Sequence, residues 1–328
     1  MLSQSIRSAS DTPVSPANSV ILTVSVVVGL MLGYFSPNAG QQLNGLVDYT
    51  LLLLVSLLFF GIRFSALMQA VSNWRFLTIA SLVNFILVPL IGYGIASAFL
   101  STHPLLLVGL MIYFMAPCTD WFLGFTRLSG GNVALGTALM PINMVLQLLL
   151  YPLYLQLFTQ QIVEVDIAII SSTMMQWFLV PLVLAVALHQ VLRVSLQPAR
   201  FERVLNVADQ ITPWLIGLLV FEILAAHVGT ILQHHTVFIW ILLAVFSFFL
   251  LTYLLSEGLS RLFRLQYPEH ALLTMTVAAR NAPLMLAVTM AALPEQPLIY
   301  AALVIGMLME FPHLTALQRL LSRVHQRN

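Results

Sequence analysis

Val277-Ala278-Ala279-Arg280-Asn281-Ala282-Pro283 is the stretch on which the reading turns. Arg280 stands in the middle of an apolar segment, where a charge costs at least ~2.5 kcal/mol even on the most lenient insertion scale. Beside it, Pro283 removes a backbone donor and disfavours helix in the residue before it. A second stretch answers it: Met115-Ala116-Pro117-Cys118-Thr119-Asp120-Trp121 again sets a proline and a charge in mid-span, this time acidic. Two apolar helices are therefore interrupted by polar residues, and the rest of the chain must accommodate both interruptions.

The surrounding chain makes lipid the solvent. Of 328 residues 60% are hydrophobic and 8% charged, against about 25% charged in a soluble domain. Mean hydropathy is +0.96. Disorder, a nucleic-acid-binding surface and a soluble enzyme are excluded together. One cysteine excludes a disulfide framework and a multi-cysteine metal site. Ten apolar segments follow, at 19–35, 44–60, 76–99, 104–126, 133–158, 167–191, 211–228, 236–258, 270–292 and 297–318. The chain has no lysine, and its thirteen basic residues are arginines. With ten spans, Arg7, Arg63, Arg75, Arg127, Arg193, Arg200, Arg203, Arg261, Arg264, Arg319, Arg323 and Arg327 all fall on one side. The loops 36–43, 100–103, 159–166, 229–235 and 293–296 carry none. The positive-inside rule then makes this a multi-pass protein of the plasma (inner) membrane with both termini cytoplasmic.

The two interruptions also suggest a repeat. Ala116-Pro117 matches Ala282-Pro283, and the mid-span polar residues Asn143 and Glu310 follow at similar distances. Five spans separate the copies, and an odd number inverts topology. The expected fold is an all-α integral membrane protein of ten transmembrane helices. It forms two inverted five-helix repeats whose broken fourth and ninth helices cross, as in carriers with a midplane site. Residues 1–18 read as a disordered cytoplasmic tail, 19–158 as the first repeat, 159–166 as an outer connection, 167–318 as the second repeat and 319–328 as a cytoplasmic tail. The breaks at Pro117 and Pro283 expose helix N-termini that invite an anion or a polar oxygen. Crossing helices would bring Asp120 and Arg280 together as an ion pair, acting in transport or as a structural clamp.

Here the residues resemble a known family. Ala116 to Asn132, then Met140-Pro141-Ile142-Asn143 and Gln147, look like the fourth and fifth spans of arsenite permeases. These belong to the bile-acid/sodium symporter and arsenical-resistance superfamily. Ala278-Ala279-Arg280-Asn281 and Gly306 to Pro312 look like its ninth and tenth. The resemblance implies a panel of spans 1, 2, 6 and 7 beside a core of spans 3–5 and 8–10. It implies that Cys118 is the substrate thiol, Glu310 the acidic residue of the tenth span and Asn281 part of the ninth-span motif. Two positions depart. Pro117 stands where the family has arginine, and Leu284 where it has glutamate. Asp120 and Arg280 then read as the same ion pair with its polarity reversed.

The chemistry at these positions is that of a carrier. Arsenite is an uncharged trihydroxide whose soft arsenic takes a thiolate, which suits Cys118, although a lone cysteine is also a common apolar filler. Thr119, Asp120, Arg280 and Asn281 are the other expected substrate contacts. Glu310, with Asp120, is the candidate proton-coupling group, because an ionised acid at mid-membrane is costly. Asn84, Asn143 and Gln147 are supporting amides, and interhelical bonding is their ordinary role. Glu222 and Glu257 lie near span ends and are expected to be solvated. His227, His234 and His235 are expected on the outer surface. No nucleotide-binding or hydrolase motif is present. The expectation is proton-coupled arsenite efflux by a non-enzyme, with sodium- or proton-coupled organic-anion transport as the alternative. The partners are a small-molecule or metalloid substrate, a proton or sodium ion, the lipid bilayer and, as an open question, a second copy in a homodimer. No cofactor, metal or nucleic acid is expected.

Overall fold

The computed structural model describes residues 16–61, 73–119, 121–159, 172, 175, 179–233, 235–294 and 296–327. Among them the chain is helical, and its sole β-type pairing is an isolated bridge between Pro117 and Arg280. The helices are α1 (Pro16–Phe35), α2 (Pro37–Phe60), α3 (Trp74–Leu100), α4 (Pro104–Met115), α5 (Phe122–Leu128) and α6 (Val133–Thr159). They continue with α7 (Val180–Ser195), α8 (Pro198–Gln233), α9 (Phe238–Phe263), α10 (Tyr267–Ala278), α11 (Ala282–Ala292) and α12 (Pro297–Arg327). Five are long and apolar enough to cross a bilayer: α3, α6, α8, α9 and α12. Counting α2 despite its 42° bend makes six, and α1, α4, α7 and α11 are shorter apolar helices. The protein is a multi-pass membrane protein.

Proline sets several helix starts. It occupies the first turn of α2, α4, α7, α10 and α11, where the missing N–H would have had no partner anyway. Some boundaries differ from the sequence expectation. A single residue, Ser36, separates α1 from α2, so the expected loop 36–43 is largely helix. Residues 319–327, expected as a tail, continue α12. Of the expected tail 1–18, residues 16–18 are instead the start of α1 and residues 1–15 lie outside the described residues, as does the expected connection 159–166 apart from Thr159.

Packing separates two groups of helices. In one, α8 packs on α1 and α2, and α7 on α2. In the other, α4 packs on α3 and α12, α9 on α3 and α10, and α11 on α12. The two groups meet where α8 touches α12 and where α2 touches α11. Small residues allow the close approaches, as is usual where lipid supplies no hydrophobic drive between helices. Gly29, Gly33 and Gly40 lie against the backbone of Phe221 and Ala225 on α8. Gly109 lies against the backbone of Ile299 on α12, and Gly306 against the ring of Tyr113 on α4.

At one end of the molecule polar bonds tie the helix ends together. Arg75 Nη2 donates to Phe263 O (2.9 Å), Asn73 Nδ2 to Glu269 Oε1 (2.8 Å), and Tyr267 Oη to both Ser129 O (2.7 Å) and Leu321 O (3.1 Å). Arg75, Arg127, Arg261, Arg264 and Arg319 sit on or beside these ends. Residues 62–72, with Arg63, and residues 1–15, with Arg7, lie outside the described residues.

Gly109→Ala should destabilise the protein, because the added methyl meets the Ile299 carbonyl and overpacking of this kind costs about 1–3 kcal/mol. Gly94→Ala, where nothing lies within 4 Å, should be neutral or stabilising by up to ~1 kcal/mol. Thermal unfolding of both variants in detergent would check the contrast.

Candidate functional site

The site is built from two helix interruptions that satisfy each other. α4 ends at Met115 and α10 at Ala278, and the next residues are extended: Ala116 at φ −109°, ψ 112° and Ala279 at φ −75°, ψ 135°. The Cys118 N–H donates to Ala279 O (3.0 Å), and the Asn281 N–H to Ala116 O (3.0 Å). In lipid, backbone groups freed by a break need partners inside the protein, and here each break supplies the other's. Pro117 and Arg280 face each other at the position of this antiparallel pair where neither residue bonds across. A proline fits there at no cost, because its absent N–H has no role in the pairing. The Arg280 N–H points out of the pair and donates to Glu310 Oε1 (3.0 Å).

The expected match of Pro117 with Pro283 is one of sequence and not a pairing in space. Pro117 stands opposite Arg280, and Pro283 lies instead in the first turn of α11. The physical reason is that a proline near a break can serve either in the extended segment or in the following helix turn.

Arg280 is fully buried. Its Nη1 donates to Phe114 O (3.0 Å), and its Nη2 to Thr276 O (2.8 Å) and Val277 O (2.6 Å). These carbonyls belong to the last turns of α4 and α10, the negative ends of two helix dipoles. The guanidinium carbon lies 5.6 Å from the Phe248 ring centroid, within cation–π range. One buried cation thus caps both half-helices. Nε has no hydrogen-bond partner among the described residues. Asp120, expected to pair with Arg280, lies outside the described residues.

Glu310 on α12 is also fully buried. Trp121 Nε1 donates to its Oε1 (2.7 Å), alongside the Arg280 N–H, and Tyr113 Oη donates to Oε2 (3.3 Å). Three donors converge on this acid from α4, from the residue before α5 and from the second break.

Amides and hydroxyls fill the other side of the crossing. Asn281 opens α11 in the N-cap position, yet its side chain makes no cap. Its Nδ2 donates instead across the crossing, to Thr119 Oγ1 (3.0 Å) and Gln147 Oε1 (3.4 Å). An asparagine diverted from the local bond it ordinarily makes marks a site with another demand on it. Asn143 Nδ2 donates to Cys118 O (3.5 Å) and Thr276 Oγ1 (3.4 Å), and Asn84 Nδ2 to Thr276 Oγ1 (3.1 Å). Asn84 occupies a π-helical turn, Val83–Leu87, within α3, and Tyr154 Oη on α6 donates to the Phe85 carbonyl there (2.5 Å). Asn84 Oδ1, Asn143 Oδ1 and Gln147 Nε2 are buried without a hydrogen-bond partner among the described residues. Cys118 is buried between these groups, at 1% exposure.

The structure therefore gathers Cys118, Thr119, Arg280, Asn281, Asn84, Asn143, Gln147 and Glu310 around one crossing. Trp121, Tyr113 and Thr276 belong there too and were not singled out. Their signal was a hydroxyl or indole in the last turns of α4 and α10 or directly after the first break. Glu222, expected to be solvated, is 1% exposed, because α8 runs on to Gln233 and puts it well inside the helix. Glu257 is half-buried, with His270 at 3.1 Å and Arg261 at 3.6 Å. His227, expected on the surface, packs against the Tyr300 ring at 6.2 Å, while His234 and the side chain of His235 lie outside the described residues. Among the described residues no three His, Cys, Asp or Glu side chains group as a metal site.

Comparison with known proteins places the chain beside a transporter family. A family model described as the Sodium Bile acid symporter family matches residues 49–234. The chain is 26% identical over 209 residues to a protein of Oryza sativa subsp. japonica described as the probable sodium/metabolite cotransporter BASS2, chloroplastic. The match covers 63% of this chain and 47% of that protein, so the chain spans about half the length of this relative.

Arg280→Leu should lower stability by more than about 3 kcal/mol, since it strands three carbonyls that the guanidinium now satisfies. Arg280→Lys should lose less, because an ammonium keeps the charge at the helix ends but not the fork. Unfolding of the purified variants, followed by tryptophan fluorescence, reads both.

Proposed function

The chain belongs to the sodium bile acid symporter family, and from that premise we propose that it is a secondary carrier working by alternating access around the α4–α5 and α10–α11 crossing. The supporting reading of the fold is ten spans in two inverted five-helix repeats, with both termini cytoplasmic. The bridge suggests the register: Pro117 and Arg280 lie 163 residues apart. That shift carries Pro104–Met115 onto Tyr267–Ala278, and 74–100 onto 237–263, where α9 lies. Contacts recur with it. Gly109 meets Ile299 as Gly136 meets Leu272, and Gly306 meets Tyr113 as Asn143 meets Thr276. In this register Gln147 is the counterpart of Glu310. The halves differ where it matters chemically: Arg280 offers its N–H to an acid, and Pro117 has none to offer an amide.

The substrate we propose is a trivalent metalloid, arsenite above all, moved outward. The observation that carries this reading is the position of the chain's one thiol, buried in the bridge at Cys118 with polar groups around it. A single sulfur bond holds a soft metalloid and also releases it. Glu310 is the proposed proton carrier: its Oε2 accepts from one donor only and keeps a lone pair for a proton. Three of the five N–H donors of Arg280 go to carbonyls, so its first role is to hold the two helix ends together.

Sodium-coupled transport of an organic anion is the second reading. It is favoured by the amide oxygens of Asn84 and Asn143, hard ligands beside a helix break of the kind that holds a coupling sodium ion. The name of the rice relative points the same way.

Everted vesicles loaded with chain and offered arsenite, antimonite and a panel of organic anions, with and without sodium, separate the readings. Arsenite accumulation that needs no sodium and is abolished by Cys118→Ser is the expected result. Sodium-dependent anion uptake that survives the serine variant would replace the first reading with the second.

Glu310→Gln should fold, because an amide oxygen still accepts from Trp121 and the Arg280 N–H. Transport by this variant should no longer respond to an imposed pH gradient, whereas an unchanged response would remove Glu310 from the coupling.

A further inference from the structure

Glu222 is a buried acid that the crossing does not use. It lies inside α8, in the helix group of α1, α2, α7 and α8, and is 1% exposed. Thr50 Oγ1 on α2 donates to its Oε1 (3.1 Å), and its Oε2 has no hydrogen-bond partner among the described residues. Among the described residues no basic side chain lies within 4 Å of it.

The surroundings offer it nothing else. On α1 the one ionisable group is Tyr34, which is exposed, and on α2 they are Asp48 and Tyr49, both exposed. On α7, His189 Nδ1 is bonded to Phe60 O, and Arg193 is exposed. On α12, Tyr300 donates to Leu293 O, Glu310 holds its own three donors, and His313 Nδ1 is bonded to Met309 O. Arg319 and Arg323, toward the end of that helix, are exposed. On α8 itself, Arg200, Glu202 and Arg203 are exposed near the helix start, Asp209 is half-buried, and His227 packs on Tyr300. A carboxylate carries two oxygens that each seek donors, and one hydroxyl cannot replace the water it has lost. A neutral carboxylic acid fits: Oε1 accepts from Thr50, and Oε2 carries the proton.

We infer that Glu222 is a proton-binding site of the carrier, distinct from Glu310 and borne by the opposite helix group. In the conformation described the O–H bond on Oε2 is intact. When the α2–α8 contact admits water, that bond breaks, the proton passes to water, and the carboxylate is hydrated. Low pH therefore favours the closed contact and high pH the hydrated one. Nothing in this depends on whether the solute is a metalloid or an organic anion.

Infrared titration of the full-length protein in lipid nanodiscs tests the site without any substrate. Wild type should show the carbonyl stretch of a neutral carboxylic acid that is lost in Glu222→Gln and kept in Glu310→Gln. Thr50→Val, which removes the hydroxyl donor but leaves the acid, should move the same band to higher frequency. This second assignment holds even if Glu222→Gln folds poorly. On transfer to deuterium oxide the band should shift, as it must if the proton exchanges with solvent. A band unchanged in both Glu222→Gln and Thr50→Val overturns the proton site. A band that never shifts in deuterium oxide overturns its exchange with water, and with it any part in coupling.

Discussion

Two backbone hydrogen bonds, Cys118 N–H to Ala279 O and Asn281 N–H to Ala116 O, are the constraint on which the rest of the structure depends. Breaking a helix among apolar neighbours frees donors and acceptors that lipid cannot satisfy. Pairing the two breaks resolves most of that demand at one point, but only if α4 and α10 arrive there with their ends side by side. The packing of α4 on α12 and of α10 on α9 follows from this requirement, and so does the need for Gly109 and Gly306 at the closest approaches. The paired breaks leave the last carbonyls of both half-helices pointing at the same small volume. A cation there is stabilised by two dipole ends at once, and Arg280 supplies it.

The same pairing makes the crossing chemically two-sided. On one side an acid receives an indole, a phenol and a backbone N–H. On the other, amides and hydroxyls bond in short chains and leave oxygens over. The difference traces to one residue in each break. Arginine has an N–H to give to a carboxylate, and proline has none. A backbone that is close to two-fold in its pairing therefore carries two unlike environments.

The helix group of α1, α2, α7 and α8 is different in character. Its closest contacts run through glycines against the α8 backbone, with few polar side chains between. A buried acid stands out there because so little surrounds it. In the crossing group, polar residues are bonded to one another, and each one's burial is supported by its neighbours.

Much of this was legible in the residues themselves. The share of apolar residues and the scarcity of charge point to a multi-pass helical membrane protein, because lipid admits few alternatives. Arg280, Pro117, Cys118 and Glu310 announced themselves as polar or helix-breaking groups in apolar surroundings, where each is costly without a purpose. Partners were not legible. The pairing of Pro117 with Arg280 depends on which residues are extended at each break, and a proline fits the extended segment as well as the helix turn after it. Trp121, Tyr113 and Thr276 look like ordinary interior residues until α12, α3 and α6 bring Glu310, Asn84 and Asn143 to them. Glu222 looked solvated because α8 was read as a shorter span. Sequence determines which groups cannot remain alone in lipid; only the tertiary structure decides which group answers each, because the answer comes from helices far away along the chain.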